Sequence, residues 1–244
     1  MTIALKLAGA LALLAPPAAS AAATPVDDPV RVTITARDVE ASNQKVAAAY
    51  SALMTMWERE FERYGTPFRA PRIVRYRGNV QTSCGVMPQS NAVYCFNNNT
   101  IYFDEVFLAA QAKLTGLRTR TDGDMAAIGI IAHEVGHSVA FQLGRHSRSS
   151  YRNEATADCL AGAFARQAEA DGQLEHGDLD EAFLAMASAG DPEFESTGDR
   201  RRDARNARVL ARNAHGTEAQ RQANFESGLR GGPLSCLEDF RPAA

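Results

Sequence analysis

His133-Glu134-Val135-Gly136-His137, followed a short way on by Glu154-Ala155-Thr156-Ala157-Asp158, is the stretch on which the reading of this chain turns. Positions four apart on an α-helix are rotated by about 40° net, so both imidazoles leave one face about one turn apart and can grip one Zn²⁺. Glu134 lies about 100° round the helix from His133, outside that coordination set but within reach of a metal-bound water. It is placed for proton transfer. A catalytic zinc site has three protein ligands and an open fourth position, so the third ligand must come from another element. Glu154 is the candidate, since 154 − 137 = 17 residues leave room for the first helix to end near Gly144 and a second to return beside it. Asp158, four residues further, shares a helical face with Glu154 and can accept the free ring N–H of a histidine ligand.

A chance His-Glu-x-x-His is expected in on the order of one per cent of chains this long or fewer. The surrounding helix is also apolar, through Ala126, Ala127, Ile128, Ile130, Ile131, Ala132, Val135 and Val139, and so belongs in a core. Two histidines and a glutamate buried there need partners, and a metal supplies them. The competing reading is a surface helix carrying two unrelated histidines.

Outside this stretch, residues 1–23 have the pattern of an export signal: Lys6, an apolar run from Leu7 to Ala15, Pro16-Pro17, then Ala19-Ser20-Ala21 or Ala21-Ala22-Ala23 for cleavage. The run is short for a membrane span of about 20 residues; an uncleaved anchor is the alternative. Removing it takes away one lysine, leaving 25 − 29 = −4, which gives no electrostatic case for a nucleic-acid partner. The rest is predicted to be one globular unit, with an N-terminal strand and helix over 24–69 and a metal-binding domain over 70–244. Oligomeric state is not legible. Cys84, Cys95, Cys159 and Cys236 allow three pairings. Cys84 with Cys95 and Cys159 with Cys236 is favoured, one local link and one tying the C-terminal segment to the helix of Glu154. The rival makes Cys95 or Cys159 a zinc ligand, against the preference of an oxidising compartment for disulfides.

Along the chain, alternation predicts a strand at Val30–Thr35, and apolar spacing predicts a helix over Val39–Tyr64. Trp57 and Phe61 are read as core, with a substrate-groove wall as the alternative. Ile73–Tyr76, Ala92–Phe96 and Thr100–Phe103 suggest a small sheet ahead of the zinc helix, whose edge could hold an extended peptide by analogy with many zinc peptidases, a purely structural sheet being the alternative. A helix over Asp104–Leu114, a polar connector over Thr115–Gly123, and Asp122 or Asp124 as N-cap follow. Further helices are predicted over Tyr151–Ala170 and Gly177–Ala189, the first with alanines permitting close approach to the zinc helix. Arg200, Arg201, Arg202, Arg205, Arg208 and Arg212 read as a solvated helix face. Thr217 is the expected N-cap of the last long helix, with Phe225 inward. His146 and His176 are read as surface residues.

With Cys84-Gly85, Tyr94-Cys95, Ile101-Tyr102-Phe103-Asp104, the His133–His137 run, Glu154 through Ala157-Asp158-Cys159-Leu160-Ala161-Gly162, and His215-Gly216-Thr217 with Gln220-Arg221, Phe225, Gly228 and Cys236, the chain resembles the bacterial neutral zinc metallopeptidases of the gluzincin group. The resemblance covers residues from about 70 to 240. It implies an α+β, mainly α-helical, zincin-like fold with a small sheet before the active-site helix, His133, His137 and Glu154 as ligands of one Zn²⁺, and Glu134 as base. The family usually has an aromatic residue or a histidine after the second ligand and a tryptophan near Phe225; here Ser138 and Asn224-Phe225 stand instead.

The function expected is that of an exported peptidase, periplasmic or extracellular, acting on peptide or protein substrates. Thermolysin-like enzymes recruit a downstream histidine or tyrosine to the oxyanion, which makes His215 the candidate with Tyr151 behind it. A non-peptide amide, such as one in a cell wall, is the alternative substrate. A purely structural zinc in an interaction module is the other reading, and it lacks the fourth ligand such a site needs.

Overall fold

After a small sheet the chain passes into a run of helices, the second and third of which carry the candidate metal site. The computed structural model describes residues 32–191, 196–212 and 215–237. Helix α1 spans Ala36–Arg63 and is followed by five short strands, β1 (Arg72–Tyr76), β2 (Val80–Thr82), β3 (Gly85–Met87), β4 (Ala92–Cys95) and β5 (Thr100–Asp104). Six helices complete the described chain: α2 (Glu105–Thr119), α3 (Asp124–Gln142), α4 (Ser150–Ala170), α5 (Asp178–Ser188), α6 (Arg200–Arg212) and α7 (Glu218–Gly231), with a 3₁₀ turn at Pro233–Cys236. This is the mainly helical α+β, zincin-like fold. From Val32 onward the residues form one unit by their contacts.

The three-stranded sheet runs β1-β5-β4. β5 is its centre, buried at every position, parallel to β1 with Ile73 opposite Ile101 and antiparallel to β4 with Tyr94 opposite Ile101. β4 is therefore an edge. β2 and β3 form a separate hairpin, and the Cys84–Cys95 disulfide joins the turn of that hairpin to the end of β4.

α3 is apolar almost all round, and a helix of that kind has to be enclosed. It packs against α1, α2, α4, α5 and β4, burying Ile131, Ala132, Val135 and Val139. Trp57 and Phe61 of α1 belong to this core at 1% and 0% exposure, so the groove-wall reading of these two is corrected. α6 presents Arg200, Arg201, Arg205 and Arg208 to solvent. Among the described residues no helix is long and apolar enough to cross a membrane. The predicted export signal lies outside the described residues.

Three local expectations are revised. Val32–Thr35 forms no strand; residues 30 and 31 of that prediction lie outside the described residues. Thr35 is instead committed to a capping box, accepting from the Asp38 N–H while its own N–H donates to Asp38, and the Thr33 carbonyl accepts from Lys113. The predicted connector at Thr115–Gly123 is mostly helix, because α2 buries Thr115 and Gly116 and stops only at Arg120, which turns into the left-handed region at φ 64°. Neither Asp122 nor Asp124 caps α3. Gly123 is the N-cap, and the buried carboxylate of Glu181, from α5, accepts the N–H groups of Gly123 at 3.0 Å and Met125 at 2.9 Å. A side chain remote in sequence thus satisfies donors that a helix start leaves without partners.

Candidate metal centre

α3 and α4 meet where α3 lacks a side chain. A Cβ on Gly136 would lie 2.9 Å from the Ala157 carbonyl oxygen and 3.0 Å from Ala157 Cα. That glycine, inside the His133–His137 run, lets α4 lie close to the face from which both histidines project. The alanines of α4 do not achieve this alone. On its other side α4 is gripped by α7, where a Cβ on Gly228 would sit 1.7 Å from the Cys159 carbonyl oxygen. The Cys159–Cys236 disulfide ties the turn after α7 to α4. All four cysteines are thus in disulfides, which removes Cys95 and Cys159 as zinc ligands.

The consequence is a convergent donor set. His133 Nε2 lies 3.1 Å from Glu154 Oε2, and His137 Nε2 lies 3.6 Å from Glu154 Oε1. The donor atoms of the three residues all fall within 4.8 Å of one another. Ligands at about 2.0–2.1 Å from a tetrahedral zinc are separated by roughly 3.3 Å, so the set is of the right size. His133 Nδ1 meets Asp158 Oδ1 at 2.8 Å, which leaves Nε2 on the side of the other two ligands. Asp158, fully buried, is held in turn by Arg221 of α7 through Nε to Oδ2 at 3.1 Å and Nη2 to Oδ1 at 2.6 Å. Arg221 also donates to the Ala189 carbonyl at 2.9 Å.

Electrostatics favour a cation here. With Glu134, Glu154 and Asp158 ionised, three carboxylates face one guanidinium, −3 + 1 = −2, the charge that one divalent ion balances. Burial opposes charging of His133, yet the Asp158 and Glu154 carboxylates outweigh it and push the imidazole up to about 10. Burial likewise works against the Glu154 carboxylate, but its bonds to His133 and His137 hold it well below the usual carboxylate range. Zn²⁺ in place of that proton suits the same donors. The site fits the ion on size, donor type and charge.

Glu134 stands apart from this set. Its Oε2 accepts the Tyr94 backbone N–H at 2.6 Å, so the edge strand β4 fixes the carboxylate. Both residues, with His133, His137 and Glu154, line a cleft of about 600 Å³. His215 lines it as well. Its backbone N–H donates to Asp191 Oδ2 at 2.6 Å, and its ring Nδ1 lies 3.4 Å from Asp191 Oδ1. Tyr151 is not among the lining residues; its ring packs against Gly216. His146 and His176 are both exposed, and His146 in addition lines the cleft beside Phe141.

Several members of this arrangement escaped sequence reasoning. Arg221 stood in the stretch that carries the family resemblance, but nothing in its spacing pointed to Asp158. Asp191 pairs with His215 across 24 residues with no motif to mark it. The Tyr94 contact uses a backbone N–H, which leaves no trace in residue identity.

Fold and site together define a class: zincin-like proteins in which a helix bearing His-Glu-x-x-His and a glutamate on the next helix bring together side chains able to hold a metal. More narrowly, the chain belongs to the family described as "Putative neutral zinc metallopeptidase", whose profile matches residues 20–240. It is 31% identical over 230 residues to the "Uncharacterized protein YpfJ" of Escherichia coli strain K12, covering 85% of this chain and 76% of that one. The protein of the same name from Escherichia coli O6:H1 matches with the same figures. No solved structure gives a significant match.

Proposed function

We propose that this chain is an exported zinc peptidase, with one Zn²⁺ held by His133, His137 and Glu154, and Glu134 as the general base. The observation that carries this reading is the anchoring of Glu134 by the Tyr94 N–H, because it sets the base, the donor cluster and an open sheet edge in one cleft. Bound zinc supplies Lewis acidity, lowering the pKa of a water molecule and polarising the scissile carbonyl. Glu134 takes the proton of the attacking water through its carboxylate and delivers it to the leaving amine. Asp158, braced by Arg221, holds His133 in the tautomer that presents Nε2. His215 donates to the oxyanion, and Asp191, which accepts its backbone N–H and lies 3.4 Å from its ring Nδ1, positions it. The outer edge of β4, with its Tyr94 N–H given to Glu134, receives an extended peptide through its remaining backbone groups by strand addition.

A cleft reaching the donors argues against a zinc that only holds the fold, since structural sites are closed by a fourth protein ligand. Export, with residues 1–23 as its signal and the remainder as one unit, is supported by two disulfides, which persist in oxidising compartments.

The test is digestion of a diverse peptide mixture by the zinc-loaded protein beside Glu134→Gln. The reading requires cleavage by the wild type, a loss of about 10²- to 10⁴-fold in the variant, and equal zinc content in both. Equal zinc with no cleavage by either protein would remove the peptidase assignment.

A further inference from the structure

The face of the small sheet turned away from α3 has a core of its own. Alternation along β4 sends Tyr94 towards the helices and Val93 and Cys95 to the opposite side. There Tyr76, Met87, Cys95 and Tyr102 are buried together, and among the described residues no helix contributes to that cluster. Its cover is the β2–β3 hairpin, which shares no ladder with the three-stranded sheet. The Cys84–Cys95 disulfide fastens the turn of this hairpin to the end of β4, and beside it Asn97 Nδ2 donates to the Ser83 carbonyl at 2.8 Å.

Cys95 directly follows Tyr94, whose backbone N–H holds the Glu134 carboxylate at 2.6 Å. β4 has four residues and pairs on one side only, with β5. The place of the Tyr94 N–H therefore depends on β5 and on what fixes the end of β4, and a covalent link one residue away fixes it. The sulfurs of that link differ in access. Cys95 is fully buried and Cys84 partly exposed, whereas Cys159 and Cys236 of the other disulfide are both buried.

We propose that the Cys84–Cys95 disulfide is a positioning group for Glu134, acting through the Tyr94 N–H, and that a dithiol reductant switches the base off by opening it. This rests on the peptidase reading. A thiolate of the reductant attacks the accessible Cys84 Sγ, the S–S bond breaks, and its electron pair leaves with Cys95 Sγ, to which the Ser83 hydroxyl at 3.2 Å can donate. The second thiol of the reductant then attacks the mixed disulfide and releases Cys84. The reductant ends as a disulfide, and the protein has gained two electrons and two protons. None of the three proposed ligands lies on the sheet, since His133 and His137 are on α3 and Glu154 is on α4. The opened protein thus keeps its metal and loses the set position of its base. In a reducing compartment, where such links do not persist, the chain would be a metal-loaded but idle enzyme.

The experiment compares zinc-loaded oxidised wild type, wild type opened with dithiothreitol, then alkylated, mapped and reloaded with zinc, and Cys84→Ala/Cys95→Ala. Each is assayed on quenched fluorescent peptides well below its melting temperature, with zinc content and hydrogen exchange of the Tyr94 amide measured alongside. In both opened forms kcat should fall by about 10- to 100-fold, the effect of a misplaced reacting group, with little change in KM or zinc content. The Tyr94 amide should exchange roughly tenfold faster or more. Should the double variant not fold, the opened wild type carries the comparison. A link that serves stability alone would lower the melting temperature and leave kcat and the Tyr94 amide as in the oxidised protein, and that result overturns the proposal. Alkylation of Cys159 and Cys236 ahead of Cys84 and Cys95 overturns it too. Should oxidised wild type cleave nothing, the peptidase reading fails on its own, and the amide decides the clamp: unchanged exchange overturns it, and faster exchange at equal zinc supports it.

Discussion

Arg221 closes on Asp158 with two parallel hydrogen bonds, from a position 63 residues further along the chain and with both side chains buried. The guanidinium neutralises a carboxylate that has no access to water and fixes its plane, so that Oδ1 faces His133. Arg221→Met should destabilise the metal-free protein by about 3–5 kcal/mol, because a buried charge loses its partner. It should also weaken zinc binding by roughly 10- to 100-fold through the released histidine. Arg221→Lys keeps the charge but loses the paired geometry and should fall between the two. Thermal melts with and without metal, together with a competitive zinc titration, read both effects; unchanged zinc affinity in Arg221→Met would detach this residue from the site.

His215 and Asp191 make a separate prediction. His215→Asn should lower kcat by about 10²- to 10³-fold, the cost typical of one oxyanion donor, with little change in KM and none in zinc content. Asp191→Asn should produce a smaller loss of the same kind. A rise in KM alone would place His215 in substrate binding instead.

Gly136 gives a steric test. Gly136→Ala puts a methyl group against the Ala157 backbone, which must retreat and take Glu154 with it. Overpacking of this sort costs about 1–3 kcal/mol. The loss of zinc affinity should exceed what that destabilisation alone predicts, since two ligands are on one side of the contact and the third is on the other. Val135→Ala, a cavity mutation in the same helix, is the control: it should cost stability with little effect on metal binding.

Glu181 sets a pH dependence. Burial raises its pKa, against the bonds from Thr121, Met125 and Gly123. The folded protein therefore binds this proton more tightly than the unfolded chain does. The favourable contribution is complete below the unfolded value and is lost as pH rises through the folded one. Melting temperatures of metal-free wild type and Glu181→Gln, compared between pH 4 and pH 7, should shift in the variant's favour with rising pH. The opposite slope would mean that the N-terminus of α3 stabilises the charge more than burial penalises it.

Elements with a clean periodicity could be read from the sequence, and those decided by tertiary partners could not. α1, the strands of the small sheet and α4 follow their apolar spacing. α2 outran its predicted end because burial of Thr115 and Gly116 overrode a polar local composition. Val32–Thr35 alternates like a strand, yet no described strand pairs with it and its last residue caps a helix. In the site, His133, His137, Glu154 and Asp158 lie within 26 residues, where helical spacing makes a proposal possible. The capping of α3 by Glu181, the bracing of Asp158 by Arg221 and the pairing of His215 with Asp191 all depend on approaches that only the folded chain defines.

That division has a temporal counterpart. Every proposed ligand is present once residue 154 has been made, and Asp158 follows directly, whereas Arg221 and one half of the Cys159–Cys236 disulfide come some sixty or more residues later. Joining α3 to α4 closes a short loop at small entropic cost; docking α7 closes a long one. A growing or emerging chain can thus capture its metal while the last helix is still missing, with the ion acting as an early staple. The brace and the proposed oxyanion donor arrive together on the C-terminal segment, so on the peptidase reading hydrolytic competence follows metal capture.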